Sequence, residues 1–204
     1  GLQDMDVQNT AAGSIKIDIQ YAYRLRFSGV SFQECTVEMD DCGDIDFDRC
    51  KHISKDVLTH ARHVLFNTWV DLVNFSECEL RGAVAGFEWG GDKALRHINI
   101  YDCYISGCTL AVDWTPTTPG STSCSFFKFN DNMVDLLEAP GSGGGTGGMI
   151  TTGAVMFQDF EISGNDCQRQ LATGTEYTLY LGGSSDPKGP GYGTISGNKF
   201  GGDV

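Results

Sequence analysis

Two short segments each place a carboxylate between large apolar residues: Phe87-Glu88-Trp89 and Val112-Asp113-Trp114. Each acid lies ten residues after a cysteine, so neighbouring strands in one register would bring the acids side by side, about 5 Å apart. Two carboxylates that close raise the pKa of one, which can then donate a proton while the other stays ionised. We predict Glu88 and Asp113 as an acid–base pair that suits a retaining glycoside hydrolase. The alternative is an exposed acidic pair beside an aromatic core.

A second set of polar residues occupies outward positions of a repeated strand, in two rows: Arg26, Asp46, Asn74, Asn99, Lys128, Glu161, and Ser28, Asp48, Ser76, Tyr101, Asn130, Ser163. Asp46 and Asp48 are two residues apart, hence about 7 Å apart on one face, and are our second choice for catalysis. Asn74, Asn99, Tyr101 and Asn130 are predicted to bind substrate. Sugar hydroxyls need paired donors and acceptors, and a tyrosine ring can stack on a sugar. The same face can also pack against another subunit.

The elements that must position these residues form a repeat along the chain. The pattern is apolar, any, apolar, any, any, anchor, any, apolar, as in Val73-Asn-Phe75-Ser-Glu-Cys78-Glu-Leu80. The sixth position, which we call the anchor, recurs at these residues: Thr10, Val30, Cys50, Cys78, Cys103, Asn132, Asn165 and Asn198. The intervals of 20, 20, 28, 25, 29, 33 and 33 residues predict stacked coils of three short strands, with insertions in the longer turns.

The physics of one copy of the repeat is simple. The two apolar residues point into the core, and the residue between them points out. The anchor lies inside the bend that follows, where it stacks on the anchor of the next coil. Asn suits this place because its amide can bond the backbone and the next Asn, and Cys suits it as a small buried hydrophobe. We therefore predict a Cys ladder followed by an Asn ladder. In-register cysteines have poor disulfide geometry, so we expect mostly reduced thiols.

The phrases Ile162-Ser-Gly-Asn165 and Ile195-Ser-Gly-Asn198 resemble the Ile-x-x-Asn-x-apolar repeats of the pectate-lyase-like superfamily. That superfamily includes polysaccharide lyases, glycoside hydrolases and bacteriophage tailspikes. The resemblance implies an all-β fold, a right-handed parallel β-helix (a solenoid) of about seven to eight coils. It also implies a homotrimer and a virion or extracellular location. We expect residues 1–204 to form a single domain and, since the chain begins at Gly1, to be a processed chain or a piece of a longer one.

Three stretches depart from the repeat. Residues 54–70 can form a short helix or two strands, and we favour strands because their apolar residues fit a coil. Residues 139–153 and 184–191 are predicted to be loops, since they are rich in Gly, Ser and Pro. The first lacks the Gly-Lys-Ser/Thr of a phosphate-binding loop, so we expect no nucleotide. His60 and His63 are expected in a turn or on the surface of a coil.

Composition excludes several classes of partner. The formal net charge of −13 disfavours nucleic acid and anionic membranes, and no apolar run is long enough to span a bilayer. The eight Cys and four His lack zinc-site spacings, and the acidic segment 38–48 lacks the pattern of an EF-hand. We expect no metal and no cofactor.

These observations lead to one expected function and two rivals. We expect a tailspike-like protein that recognises a bacterial surface polysaccharide and can hydrolyse it. The first rival is a non-enzymatic structural or receptor-binding fibre segment, favoured by the short chain and the lack of a strong catalytic motif. The second is a lyase or epimerase acting on uronic acids. Basic residues near the repeated strands are scarce, which disfavours the lyase because it must neutralise a sugar carboxylate.

Overall fold

The computed structural model describes residues 2–8, 15–55, 60–91, 93–115, 123–136, 148–152, 156–169, 179–181 and 192–202. The first half of the described chain forms these strands: β1 (Leu2–Gln3), β2 (Asp6–Gln8), β3 (Ile15–Gln20), β4 (Tyr23–Ser28), β5 (Ser31–Gln33), β6 (Cys35–Asp40), β7 (Cys42–Asp48), β8 (Lys51–Ile53), β9 (Arg62–Phe66), β10 (Val70–Ser76), β11 (Glu79–Arg81), β12 (Ala85–Trp89) and β13 (Leu95–Tyr101). The second half forms these: β14 (Tyr104–Cys108), β15 (Leu110–Trp114), β16 (Ser123–Ser125), β17 (Lys128–Asn130), β18 (Met133–Leu136), β19 (Gly148–Thr152), β20 (Met156–Gln158), β21 (Phe160–Ser163), β22 (Asp166–Arg169), β23 (Leu179–Leu181), β24 (Gly193–Ser196) and β25 (Lys199–Gly202).

Successive strands join three parallel sheets in turn, which we call sheets A, B and C. Sheet A follows the order β1-β4-β7-β10-β13-β17-β21-β24, with β16 and β20 extending it beside β13. Sheet B follows β2-β5-β8-β11-β14-β18-β22-β25, and sheet C follows β23-β19-β15-β12-β9-β6-β3. One passage through the three sheets is called a coil. The fold is therefore all-β, with three parallel sheets of strands stacked coil upon coil.

The register of sheet A confirms the spacing of the repeat from its second copy onward. The inward column of sheet A consists of these register partners: Phe27, Phe47, Phe75, Ile100, Phe129, Ile162 and Ile195. The rings of Phe27 and Phe47 stack at 4.7 Å and 7°, and those of Phe47 and Phe75 at 4.5 Å and 3°. These three rings exclude water because each covers the next, whereas Ile195 in the last coil is exposed. In-register stacking thus gives a continuous apolar core.

The first copy of the repeat was placed wrongly. Leu2 pairs with Phe27 and Val7 with Phe32, so the first interval is 25 residues rather than 20. The carbonyl of Met5 accepts a bond from the N–H of Ser31, just as other anchor carbonyls do in later coils. Met5 therefore holds the anchor position, and Thr10 lies outside the described residues. The error arose because a weak copy satisfies the apolar spacing in more than one alignment.

The anchors form the two predicted ladders. All eight cysteines are buried thiols. In the Asn ladder, Asn132 donates its side-chain N–H to Oδ1 of Asn165 at 3.0 Å, and Asn165 donates to Oδ1 of Asn198 at 2.8 Å. The backbone N–H groups of Asn132 and Asn165 donate to the same oxygens, at 2.9 and 3.1 Å. Each amide thus satisfies buried backbone groups that the bend would otherwise leave without partners.

The bend before each anchor uses a left-handed residue. The residues at this position have φ between 46° and 69°, and they are Asp4, Gly29, Arg49, Glu77, Asp102, Asp131, Gly164 and Gly197. Asp tolerates this conformation better than most residues, and Gly adopts it without strain. The backbone N–H of Asp131, for example, donates to the carbonyl of Ser163 in the next coil at 2.9 Å. The bend is therefore bonded between coils rather than within one.

The predictions for the stretches that depart from the repeat are confirmed in part. Residues 62–66 form strand β9, which confirms strands over a helix there, and residues 56–59 lie outside the described part. Gly148–Thr152 is strand β19 of sheet C, so the predicted loop 139–153 is wrong at that end. Residues 139–147, Gly153 and the loop 184–191 lie outside the described residues. The surface placement of His60 and His63 is also wrong, because both are buried.

The described residues include no helix of the length and apolarity needed to cross a bilayer.

Candidate functional site

Sheet A carries a shallow trough on its outer face. It has a volume of about 380 Å³, and it is lined by Arg26, Phe27, Ser28, Asp46, Asp48, Asn74, Ser76 and Tyr101. The lining residues come from neighbouring strands because Asp46 pairs with Asn74 and Asp48 pairs with Ser76 in register. The volume is near the lower end of the range for small-molecule sites. We refer to this feature as the sheet A trough.

Two columns of left-handed residues border the polar rows of sheet A. One is the bend before the anchors. The other interrupts the strands earlier, with φ between 50° and 64°, at Arg24, Asp44, Leu72, His97 and Phe126. Leu72 and His97 have no register partner, whereas the residues on either side of each are paired. The left-handed backbone at such a residue turns its side chain out of the regular alternation of the strand. Leu72 and Phe126 are exposed accordingly.

Hydrogen bonds join the first row of the trough into a chain. Asn99 donates to Oδ1 of Asn74 at 2.7 Å, and Asn74 donates to Oδ1 of Asp46 at 2.6 Å. The other carboxylate oxygen of Asp46 is ion-paired with Arg26. Amide orientations along the row are thereby set, since each group has a defined donor or acceptor role. The row presents a pre-organised polar surface.

The second row centres on Asp48, which is held as a carboxylate. Arg49 donates to Oδ2 of Asp48 from Nη2 at 2.7 Å, and Ser28 donates to the same oxygen at 3.1 Å. Ser76 donates to Oδ1 at 3.3 Å. The pKa of Asp48 is lowered, first by the hydrogen bond from Arg49 and then by those from the serines. Asp48 is therefore suited to accept hydrogen bonds and unsuited to donate a proton.

The structure brings some of the predicted binding residues together and places one of them elsewhere. Asn74 and Tyr101 line the trough, and Tyr101 is exposed. Asn99 lies directly beside it and orients Asn74. Asn130 belongs to the next coil, where its Oδ1 accepts the hydroxyl of Ser163 at 3.0 Å. Three of the four predicted residues therefore gather at one place, and Asn130 faces the following coil.

The two acids of the first prediction are neighbours on sheet C. Glu88 of β12 pairs with Asp113 of β15 in register. The flanking apolar residues Phe87, Trp89, Val112 and Trp114 are buried, and both acids are half-buried on the opposite face. The register expectation is confirmed, while a catalytic role for the pair stays a prediction. Neither acid lines the sheet A trough.

The environment raises the pKa of both acids. Burial raises the pKa of Glu88, and the charge of Asp113 raises it further, while Arg62 opposes both effects. Nη1 of Arg62 donates to Oε1 of Glu88 at 2.6 Å. The pKa of Asp113 is raised by burial, against hydrogen bonds from Thr115 that stabilise its carboxylate. A raised pKa is what a general acid needs near neutral pH.

Sequence reasoning missed the arginines that complete both sites. Arg62 lies one coil before its partner Glu88, and Arg49 is next to Asp48 in the chain. Arg26 was placed in the first row, but its ion pair with Asp46 was not anticipated. The adjacent position of Arg49 offered a signal. The pairing of Arg62 offered none, because it depends on a coil whose length is irregular.

Metal ligation has no support in the described residues, where no group of three or more His, Cys, Asp or Glu side chains could hold an ion. Searches against protein-family models, curated proteins and solved structures found no match. The function must therefore be argued from the two sites themselves.

Proposed function

We propose that this protein is a right-handed parallel β-helix that binds an extended polysaccharide in the sheet A trough. The observation that carries the proposal is the trough itself: a hydrogen-bonded polar row beside an exposed tyrosine. Asn74 and Ser76 offer amide and hydroxyl groups to sugar hydroxyls, and the ring of Tyr101 offers an apolar platform for a sugar face. The pre-set orientation of the row lowers the cost of ordering side chains on binding.

The charge of the sheet A trough limits which class of sugar it can bind. Asp46 and Asp48 face the ligand as carboxylates, and the two arginines at this end are already paired with them. An anionic sugar meets no unpaired cation among the lining residues. The ligand is therefore a neutral or amine-bearing glycan, and the uronic-acid lyase reading loses support. The resemblance to tailspikes favours a bacterial surface glycan, a homotrimer, and a virion or extracellular location.

Binding tests this proposal directly. Tyr101→Ala is expected to weaken binding of a recognised bacterial polysaccharide about tenfold, since it removes the stacking platform. Tyr104→Ala is the matched control, because Tyr104 lies on sheet B under the guanidinium of Arg81, away from the trough. Calorimetry against a panel of neutral and amine-bearing polysaccharides gives the readout. Equal losses for the two variants, or no binding to any member of the panel, would overturn the proposal.

A second candidate function is hydrolysis of a glycan at Glu88 and Asp113 on sheet C, at a place separate from the sheet A trough. The observation that favours it is the raised pKa of both carboxyls, with Arg62 available to hold Glu88 as the ionised partner. Asp113 then serves as the general acid. Asp46 and Asp48 are less suited to an acid–base pair, because Arg49 keeps Asp48 ionised.

Turnover distinguishes the enzyme from a non-enzymatic adhesive fibre. The wild type is expected to release oligosaccharides from the polysaccharide it binds, and Asp113→Asn and Glu88→Gln are expected to reduce release at least about a hundredfold. Asp135→Asn is the control, as it changes an acid on sheet B. Binding without turnover by the wild type would end the hydrolase candidate and support the adhesive one.

A further inference from the structure

Three histidines are buried together where a coil passes from sheet B to sheet C. His52 belongs to β8, His63 belongs to β9, and His60 lies just before β9. Their exposed fractions are 0%, 0% and 3%. The ring centroids of His60 and His63 are 5.0 Å apart, and those of His52 and His63 are 6.2 Å apart. Three imidazoles thus share one water-excluded region of the core.

The surroundings of His52 are apolar. Its ring stacks on Phe32 at 4.7 Å and contacts Phe47 and Phe75 at 6.0 and 6.4 Å. Neither ring nitrogen of His52 has a hydrogen-bond partner. In the same column of sheet B, the register partners of His52 are Phe32 and Leu80. An apolar position is therefore occupied by a residue that becomes charged in mild acid.

The other two histidines connect separate elements. Nε2 of His63 bonds the carbonyl oxygen of Arg81 at the end of β11, at 2.8 Å. Nδ1 of His63 and Nε2 of His60 have no partner. His60 is hydrogen-bonded to the backbone of Cys35 and Arg62. The cluster therefore bridges β8, β9 and β11, and it belongs to both sheet B and sheet C.

Few charges face the cluster. The carboxylate of Glu34 favours the protonated form of His60, and Arg62 opposes it. Glu34 is already engaged, since it accepts the hydroxyl of Ser54 and the N–H of Lys55. Burial, followed by mutual repulsion, lowers the pKa of His52 to about 3 and that of His63 well below its usual value. Burial is also the largest cause of the lowered pKa of His60.

We propose that His52, His60 and His63 form an acid-sensitive latch, which holds β8, β9 and β11 together when neutral and releases them in mild acid. The latch has a direct path to the candidate acid pair. Arg62 is adjacent to His63 on β9, and it holds the ion pair with Glu88 of β12. Release of β9 separates Arg62 from Glu88. Mild acid thereby changes the charge balance at Glu88 and Asp113.

The direction of the pH dependence follows from the lowered pKa values. The folded state holds these histidines neutral, whereas the unfolded state protonates them below about pH 6.5. Their contribution to stability is complete above that pH and is lost as the pH falls toward the folded values. Between pH 7.5 and 5.5, each such histidine raises the unfolding equilibrium constant about tenfold.

The test is hydrogen exchange and urea unfolding of the wild type, His52→Leu and His52→Phe at pH 7.5 and 5.5. The two variants place at this position the residue types found in the neighbouring coils, so at least one is expected to fold. In the wild type, exchange rates corrected for intrinsic chemistry are expected to rise in β8 and β9 at pH 5.5 more than in the distant β21 and β22. Between pH 7.5 and 5.5, the unfolding equilibrium constant of each variant is expected to rise by a factor about tenfold smaller than that of the wild type.

His97→Gln is the matched control, because His97 is partly exposed on sheet A and bonds Asp71. It is expected to keep the wild-type exchange pattern at both pH values. An acid response that is uniform along the chain, or unchanged in the His52 variants, would overturn the latch. So would an imidazole of His52 that titrates near pH 6.5 in the folded protein, as followed by NMR.

Discussion

Glu88 and Asp113 lie one coil apart in the chain and directly side by side on strands β12 and β15. Arg62, from the preceding coil, forms an ion pair with Glu88 at 2.6 Å. The carboxyl of Glu88 therefore lies between a cation and a second acid, both supplied by other coils. This arrangement makes its protonation adjustable by single substitutions.

Opposite shifts are expected for the pKa of Glu88 when its two neighbours are removed. Arg62→Leu should raise it further, because the opposing positive charge is lost, and Asp113→Asn should lower it, because a like charge is lost. Carboxyl NMR titration measures both shifts. Arg81→Leu, which changes an arginine on sheet B, should leave Glu88 unchanged. Shifts of the same sign would contradict the proposed geometry.

Truncation of the central amide of the Asn ladder should destabilise the fold strongly. Asn165→Ala leaves the backbone N–H of Asn132 and the carbonyl of Phe129 without partners in the core, at a cost of about 2–5 kcal/mol. Asn198→Ala should cost less, since Asn198 is only half-buried and water can replace its bonds. Urea denaturation compares the two variants. A larger loss for Asn198→Ala would contradict the central, buried role of Asn165 in the ladder.

The phenylalanine column should be most sensitive at its centre. Phe47 stacks between Phe27 and Phe75, so Phe47→Ala opens a cavity that both neighbours line. The expected loss is about 3–5 kcal/mol in the free energy of unfolding. Phe126→Ala serves as the comparison, because Phe126 is exposed and should cost less than about 1 kcal/mol. Similar losses would contradict continuous stacking.

The number of cysteines that a thiol reagent labels should distinguish the folded chain from the unfolded one. All eight cysteines are buried, and burial is the largest cause that raises the pKa of Cys42 and Cys124 to about 12. Because the thiolate is the reactive form, a thiol reagent at pH 8 should label none of them in the native protein. In urea it should label eight per chain. Fewer than eight after unfolding would indicate disulfides.

The repeat was predictable where the local pattern around the anchor was complete. From Val30 onward, the positions of successive anchors gave the register of sheets A and B, and in sheet C they gave the pairing of Glu88 with Asp113. This worked because in-register stacking requires apolar residues at fixed offsets from each bend, and such offsets are visible in a sequence. The first coil failed since its apolar residues fit two offsets equally well.

The buried histidines show a second limit of prediction from the sequence. The sequence predicts His60 and His63 in a turn or on the surface of a coil. The structure buries both of them, and nothing in the local residue pattern marks that burial. The ion pair between Arg62 and Glu88 was likewise beyond prediction, because it depends on the length of an irregular coil.

The amino-acid sequence by itself determined which residues alternate in and out, and which positions align from coil to coil, because both follow from the two-residue period of a strand and the spacing of the bends. Only the tertiary structure decided which side chains meet across coils of unequal length, as with Arg62 and Glu88, and which polar groups are shut away from water. Contacts of that kind depend on the path of turns whose lengths and directions vary, and a repeat pattern does not encode that path.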